Sequence, residues 1–311
     1  MKEGRLRRLI VAGLFLLLLL EATGCSRRGQ SATPKQTVFV AIPETATIAL
    51  FSGDASGQDR PIATIRETPP DKPIDVAVNS FGDVFVANEN GNVKVYAGRN
   101  HQYELVRTLE GSNTRIQHPL AIAVDQVGSL YLAEAGDGPG KGRIEWFAGG
   151  LNGNVTPNRV ISGRKSGVTD PVGVSMDASG RCFVADRSSN KVLVFDADAV
   201  GDAAPVATLE GLRSPGHVFV DPELNVYVIN TADNSVSIFI PSGTQSWTLN
   251  ATFRSAALHD ARAMTVDAAG RIAVAATGGV FFFPHNAHST VDPIVNLRGP
   301  TPMNPSAIYV H

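Results

Sequence analysis

Imidazole, carboxylate and guanidinium groups recur in this chain at one kind of place, beside the residue that opens an apolar run. Lys72 and Asp75 flank Pro73, His118 and Asp170 precede Pro119 and Pro171, and Arg213 and His217 flank Pro215. His259, Asp260 and Arg262 surround Ala261, and Asn304 precedes Pro305. Imidazole and carboxylate suit zinc or a similar divalent ion, and three such ligands leave a coordination position open for catalysis. His118, Asp170, His217, His259 and Asp260 are the candidates for that chemistry if they converge. Splayed apart, the same groups together with Lys72, Asp75, Arg213 and Arg262 make a mixed polar rim that holds a partner and needs no cofactor. No Ser, His and Asp set surrounds a nucleophile elbow, and no G-x-x-x-x-G-K-[ST] phosphate loop occurs. The Gly-rich run from Ala133 to Gly142 precedes no helix and reads as an enlarged loop.

What positions these groups is a repeat. The segments "KPIDVAVNSFGDVFVAN", "HPLAIAVDQVGSLYLAE", "DPVGVSMDASGRCFVAD", "SPGHVFVDPELNVYVIN" and "DARAMTVDAAGRIAVAA" align without a gap. Each predicts a strand, a turn and a second strand. The turn carries Asn79, Asp125, Asp177, Asp221 or Asp267, whose side chains can bond the backbone two residues on. Asn88, Glu134, Asp186 and Asn230 close the second strand and are expected to cap the turn after it. A third and a fourth alternating segment follow each pair, for example "NKVLVFD" and "PVATLEG". Four strands in a period of about 45 residues is the pattern of a propeller blade rather than of a helical solenoid.

The ends of the chain set the number of blades. "NPSAIYVH" reproduces a first strand and stops, while "TVFVAI", "TATIALFS" and "PIATIRE" supply a second, third and fourth. The expectation is an all-β, six-bladed β-propeller of four-stranded antiparallel blades, its ring closed by pairing of the N- and C-terminal strands. The blades fall at approximately 36–66 with 304–311, 70–111, 112–163, 164–211, 212–255 and 256–299. Val76, Ile122, Val174, Val218, Met264 and Ile308 form one predicted core position; Val78, Val124, Met176, Val220, Val266 and Val310 form another. Trp146 is expected to pack between blades, and Trp247, in the polar run "PSGTQSWTLN", to stand exposed or to cover a blade edge.

These units resemble NHL repeats, in the order Pro, apolar strand, Asp, Gly, apolar strand, Asp or Asn, third strand, over nearly all of the chain after residue 35. The resemblance implies the fold, but its members range from lyases and lactonase-like enzymes to protein- and RNA-binding scaffolds. Amidating-lyase and gluconolactonase-like members hold metals at the channel mouth. This sequence departs from their ligand patterns, with Ile74, Leu120, Val172 and Gly216 at the equivalent positions as often as polar residues.

The N-terminus sets the address. Lys2, Arg5, Arg7 and Arg8 precede the uncharged apolar run Leu9 to Leu20, too short to span a bilayer of roughly 30 Å as a helix. Ala22-Thr23-Gly24-Cys25 then resembles the lipobox of bacterial lipoproteins. This implies a signal peptide over 1–24, lipidation at Cys25, a tether over 25–35 and a place in the cell envelope, at the outer membrane facing the periplasm. With 27 Lys and Arg against 29 Asp and Glu, the chain has no basic stripe for nucleic acid. Two cysteines, one of them Cys25, leave Cys182 without an intrachain partner, and its strand "RCFVAD" marks it as a buried small hydrophobe. The reading is a monomeric, membrane-anchored scaffold that binds an envelope protein, peptide or glycan through channel-mouth loops. The alternative is a metal-dependent lyase or lactone hydrolase.

Overall fold

The computed structural model describes residues 36–136, 138, 140–300 and 303–311; the expected signal peptide, Cys25 and tether lie outside them. Each repeat folds as one antiparallel sheet because its strands are apolar on both faces and must be covered on both. Blade 1 has the spatial order Ala307–Val310, Thr37–Ile42, Thr47–Ser52, Ala63–Arg66. Blade 2 runs Pro73–Val78, Val84–Asn88, Asn92–Arg99, Gln102–Leu109 and blade 3 Pro119–Val124, Leu130–Glu134, Arg143–Phe147, Arg159–Ile161. Blade 4 consists of Pro171–Met176, Cys182–Asp186, Lys191–Phe195 and Ala207–Leu209. Blade 5 is Pro215–Val220, Val226–Asn230, Ser235–Gly243 and Ser246–Arg254, with Ser289–Thr290 added at its edge. Blade 6 holds Ala263–Val266, Ile272–Ala276, Gly279–Phe283 and Val295–Leu297. The architecture is the six-bladed all-β propeller expected from the repeat. Among the described residues no helix is long and apolar enough to cross a membrane.

Closure follows the split repeat. Val38 faces Val310, Phe39 faces Tyr309, Val40 faces Ile308 and Ala41 faces Ala307. Thr37 N–H donates to His311 O at 2.8 Å and His311 N–H returns to Thr37 O at 3.0 Å. The first and last strands thus complete one sheet, and Thr37–Ile42 is paired on both sides.

The turns after the inner strands use the Asp or Asn side chain as the repeat requires. Asp177 Oδ1 accepts from Ser179 and Arg181 N–H, and Asp267 Oδ1 accepts from Ala269 and Arg271 N–H. Gly82, Gly128, Gly180 and Gly270 sit at positive φ in four of these turns. The fifth has Leu224 at φ 67°, a conformation that a side chain resists. Trp247 Nε1–H donates to the Leu224 carbonyl at 2.9 Å and holds the turn there. That indole also stacks edge-on against Phe183 of blade 4 at 5.2 Å beneath the Arg181 guanidinium, so Trp247 packs between blades 4 and 5 rather than standing free.

The first predicted core position is buried throughout, from Met264 at 1 % to Ile122 at 5 % exposure. The second is buried only at Val78 and Val220; Val124, Met176, Val266 and Val310 are half-buried. The reason is radial. Inner strands converge on an open axis, and there the outer part of each blade cannot cover their last residues.

Candidate functional site: the channel and its rim

The six inner strands enclose a channel of about 610 Å³. Its wall is mostly apolar, with Ala77, Ala123, Phe219 and Tyr309, and it carries Ser175 and Thr265. Asp125, Asp177 and Asp221 line its turn end, and deeper in the wall stand Asp75 on blade 2 and His217 on blade 5. Both occupy the second place after the repeat proline, so they lie at the same depth on opposite sides of the ring.

Asp75 is spent on structure. Oδ1 accepts from its neighbour Val76 N–H at 2.8 Å, and Oδ2 accepts from Ile122 N–H on blade 3 at 2.7 Å, tying two inner strands together. Burial pushes its carboxyl up to about 7 despite those two donors. His217 is the opposite case. Its Nδ1 is sealed from solvent and has no partner, and burial pushes the imidazole down to about 4, so the ring is neutral. The bare Gly173 on blade 4 makes room for it: a Cβ there would stand 3.0 Å from the His217 Cα.

These two groups give opposed pH dependences. The raised Asp75 value means the folded protein binds more protons between about 4 and 7, so its contribution falls as pH rises through that window. The lowered His217 value means the folded protein binds fewer between about 4 and 6.5, so its contribution rises with pH there. The two offset one another. Replacing His217 by Gln should therefore expose a stability that declines from pH 4 to 6.5, relative to wild type, by up to about 1.4 kcal/mol per pH unit. Urea melts of both proteins across that range check it; parallel curves would refute the assignment.

The other seven sequence-derived residues stand at the end of the ring where the inner strands begin, and most are already paired. Lys72 meets Glu89 at 3.6 Å, Asp170 meets Arg187 at 2.9 Å, Arg213 meets Asp233 at 3.7 Å and Asp260 meets Arg262 at 2.8 Å. Three of the pairs join the connector entering a blade to the same blade's second turn, and Asp260 with Arg262 lies within the connector just before the inner strand of blade 6. His118 and His259 are exposed between them. The five proposed metal ligands do not converge: Asp170 and Asp260 face arginines and His217 is in the wall. Among the described residues no three His, Cys, Asp or Glu side chains gather as a metal site would require.

The residues closing the second strands have a different task from the one expected. Instead of capping the following turn, they reach back to hold the rim. Asp186 Oδ2 accepts from Thr169 and Asp170 N–H at 2.7 and 2.8 Å, Asn230 Oδ1 from Arg213 N–H at 2.9 Å, and Glu134 Oε1 from Gln117 and His118 N–H. Only Asp186 also caps its turn, accepting from Ser189 N–H at 3.0 Å. Asn88 bonds Asn92 across its own hairpin. Buried carboxylates at these places fix where the rim backbone sits. Their recurrence in the repeat was the available signal; the direction of the bonds was not.

No protein-family model matches the sequence, and no curated protein matches it. Solved structures do. A protein of unknown function from Bacteroides caccae is 9% identical, with 89% of this chain covering 98% of that one at a TM-score of 0.63. A functionally unknown protein from Desulfotomaculum acetoxidans is 13% identical, over 88% and 98%, at 0.64. The periplasmic gluconolactonase of Pseudomonas aeruginosa is 16% identical, over 80% and 78%, at 0.57. At such identities the likeness is one of fold.

Proposed function

We propose that this chain is an NHL-type binding propeller, exported, lipidated at Cys25 and held at the envelope, which captures a protein, peptide or glycan partner at the rim where its inner strands begin. The observation that carries the reading is the rim itself. Four exposed ion pairs ring one end of the channel, on blades 2, 4, 5 and 6. Exposed pairs of this kind contribute about 0–1 kcal/mol to a fold, so either member can change partner at little cost. The backbone beneath the pairs on blades 4 and 5 is held by buried Asp186 and Asn230, which keeps those charges pre-placed for a ligand. A metal-assisted lyase or lactone hydrolase would need a convergent ligand set, and the described rim residues do not fit one.

The test compares full-length protein with a Lys72, Arg187, Arg213 and Arg262 to Ala variant in capture from envelope extract. Partners should be recovered by wild type and reduced at least about tenfold by the variant. Equal recovery of every partner would move the interaction away from the rim. In the same preparation, Cys25→Ser should shift the protein from the membrane pellet to the supernatant; retention in the pellet would overturn the anchor.

A further inference from the structure

The outer strand of a propeller blade turns backbone groups away from its own sheet, and this molecule closes most of them in one way. Gly57 N–H donates to Asn296 O at 2.6 Å and Gly57 O accepts from Arg298 N–H at 2.7 Å, latching blade 6 to blade 1. Gly153 does the same to Thr108 O and Glu110 N–H on blade 2, at 2.7 and 3.4 Å. Gly201 does it to Val160 O and Ser162 N–H on blade 3, at 2.7 and 2.9 Å. All three pairings are parallel. Blade 5 is closed by Ser289–Thr290, running parallel to Phe253 and Arg254. Every latch comes from the connection between the third and fourth strands of the next blade.

Blades 2 and 5 have no such connection to lend. There the third strand passes into the fourth by a tight hairpin, Asn92–Arg99 into Gln102–Leu109 and Ser235–Gly243 into Ser246–Arg254. The edges they would have served, Ala63–Arg66 on blade 1 and Ala207–Leu209 on blade 4, carry no latch among the described residues. Thr64 and Thr208 are exposed, whereas Thr108, Val160 and Asn296, at the equivalent place under a latch, are half-buried. The two open edges have matching sequences, "PIATIR" from Pro61 and "PVATLE" from Pro205, and end in opposite charges, Arg66 and Glu210. They lie three blades apart, on opposite sides of the ring. Arg66 has no ion-pair partner among the described residues, while Glu210 holds Lys191 of its own blade at 2.7 Å.

We propose that copies of this protein associate edge to edge, the outer strand of blade 1 pairing in parallel with the outer strand of blade 4 in the next copy, Arg66 beside Glu210. An unpaired strand edge is a template for another strand, and here each copy supplies both halves. Both outer strands run in the same sense relative to the ring, so parallel pairing keeps every rim on one side of the row. The contact is heterologous, and with its two halves on opposite sides it extends into a row rather than closing into a ring. This inference is independent of the partner proposed for the rim.

Sedimentation of the full-length protein in detergent, from about 1 μM to about 1 mM, tests it. The average mass should rise with concentration in wild type. Arg66→Glu or Glu210→Arg alone should weaken association at least about tenfold, and the double swap should restore it. Arg66→Pro and Glu210→Pro, which remove an outward N–H, should each give monomers by themselves, because every contact needs both edges. The proposal fails if wild type stays monomeric throughout. It fails equally if the charge variants associate like wild type, if the double swap does not restore association, or if only one proline variant has an effect. In the last case the contact is between identical edges or with a foreign strand. Thermal melts matching wild type show that the charge variants remain folded.

Discussion

Removing residues 304–311 should abolish cooperative melting. The deletion takes away the inner strand of blade 1, so Thr37–Ile42 loses its pairing to Ala307–Val310 and the two closing bonds between Thr37 and His311. It also uncovers Phe39, Val40 and Ala41, all now at 2 % exposure or less, and deletes the buried Ala307 and Ile308. Ile308 alone stands for about 1.5–3 kcal/mol of burial, and the opened edge adds unpaired backbone on a strand that becomes the ring's new boundary. The total exceeds about 5 kcal/mol, the lower end of what a whole domain has to lose. Differential scanning calorimetry should show no sharp transition, and a hydrophobic dye should bind at room temperature. A truncated protein that melts sharply at the full-length temperature would show that closure contributes little.

Lys94→Ala should be the most damaging single substitution. Lys94 is buried on the third strand of blade 2, with Nζ 2.8 Å from Glu67 Oε2 and bonded to Asp71 Oδ2. Both carboxylates come from the chain linking blade 1 to blade 2, and Asn90 and Asn92 also donate to Asp71, at 2.6 and 2.9 Å. Removing the cation strands two buried negative charges, a change that typically costs about 3–5 kcal/mol. The cluster spans the boundary between the unlatched blade 1 and blade 2, where no glycine clamp shares the load. Its pH dependence has a definite sign. Burial pushes Asp71 up, but the bonds from Lys94, Asn92 and Asn90 more than offset this and hold it below 3.8. Its stabilisation is thus present above about pH 4 and is lost as the pH falls through the lower folded value. In Lys94→Ala the lysine's share of that lowering disappears, so the deficit against wild type should shrink as the carboxylates become protonated at low pH. Urea midpoints of both proteins from pH 3 to pH 7 check it. A deficit under about 1 kcal/mol, or one independent of pH, would show that the cluster is not the tie we describe.

The sequence made the blades legible because their physics is repetitive. A strand covered on both faces must be apolar on both, and the five-residue turn after it opens on Asp or Asn and needs a residue tolerant of positive φ three places on; five copies in register leave little freedom. Leu224 breaks that rule, and only the structure supplies the reason, an indole donor from the next hairpin. The rim positions were visible from their place beside the repeat proline. Their pairing was not, because Asp170 meets Arg187 and Lys72 meets Glu89 across a whole hairpin, and sequence distance carries no sign of that. Asp75 and His217 looked like rim residues and proved to be wall residues, each lying just past a register shift that follows the repeat proline. The latches were hidden for a different reason. They are made by backbone atoms of loop glycines, and a glycine in a polar loop looks the same whether it clamps a neighbour or merely turns.

The meeting of Thr37 with His311 separates covalent order from spatial order. Joining those residues by a short linker would make blade 1 a continuous hairpin array like its neighbours, and new ends could be opened at an exposed hairpin tip such as Asn100–His101. In such a circular permutant the seam would migrate to another blade while every contact along the axis stayed in place. The position of the seam is thus a property of the gene, and the torus itself is indifferent to it.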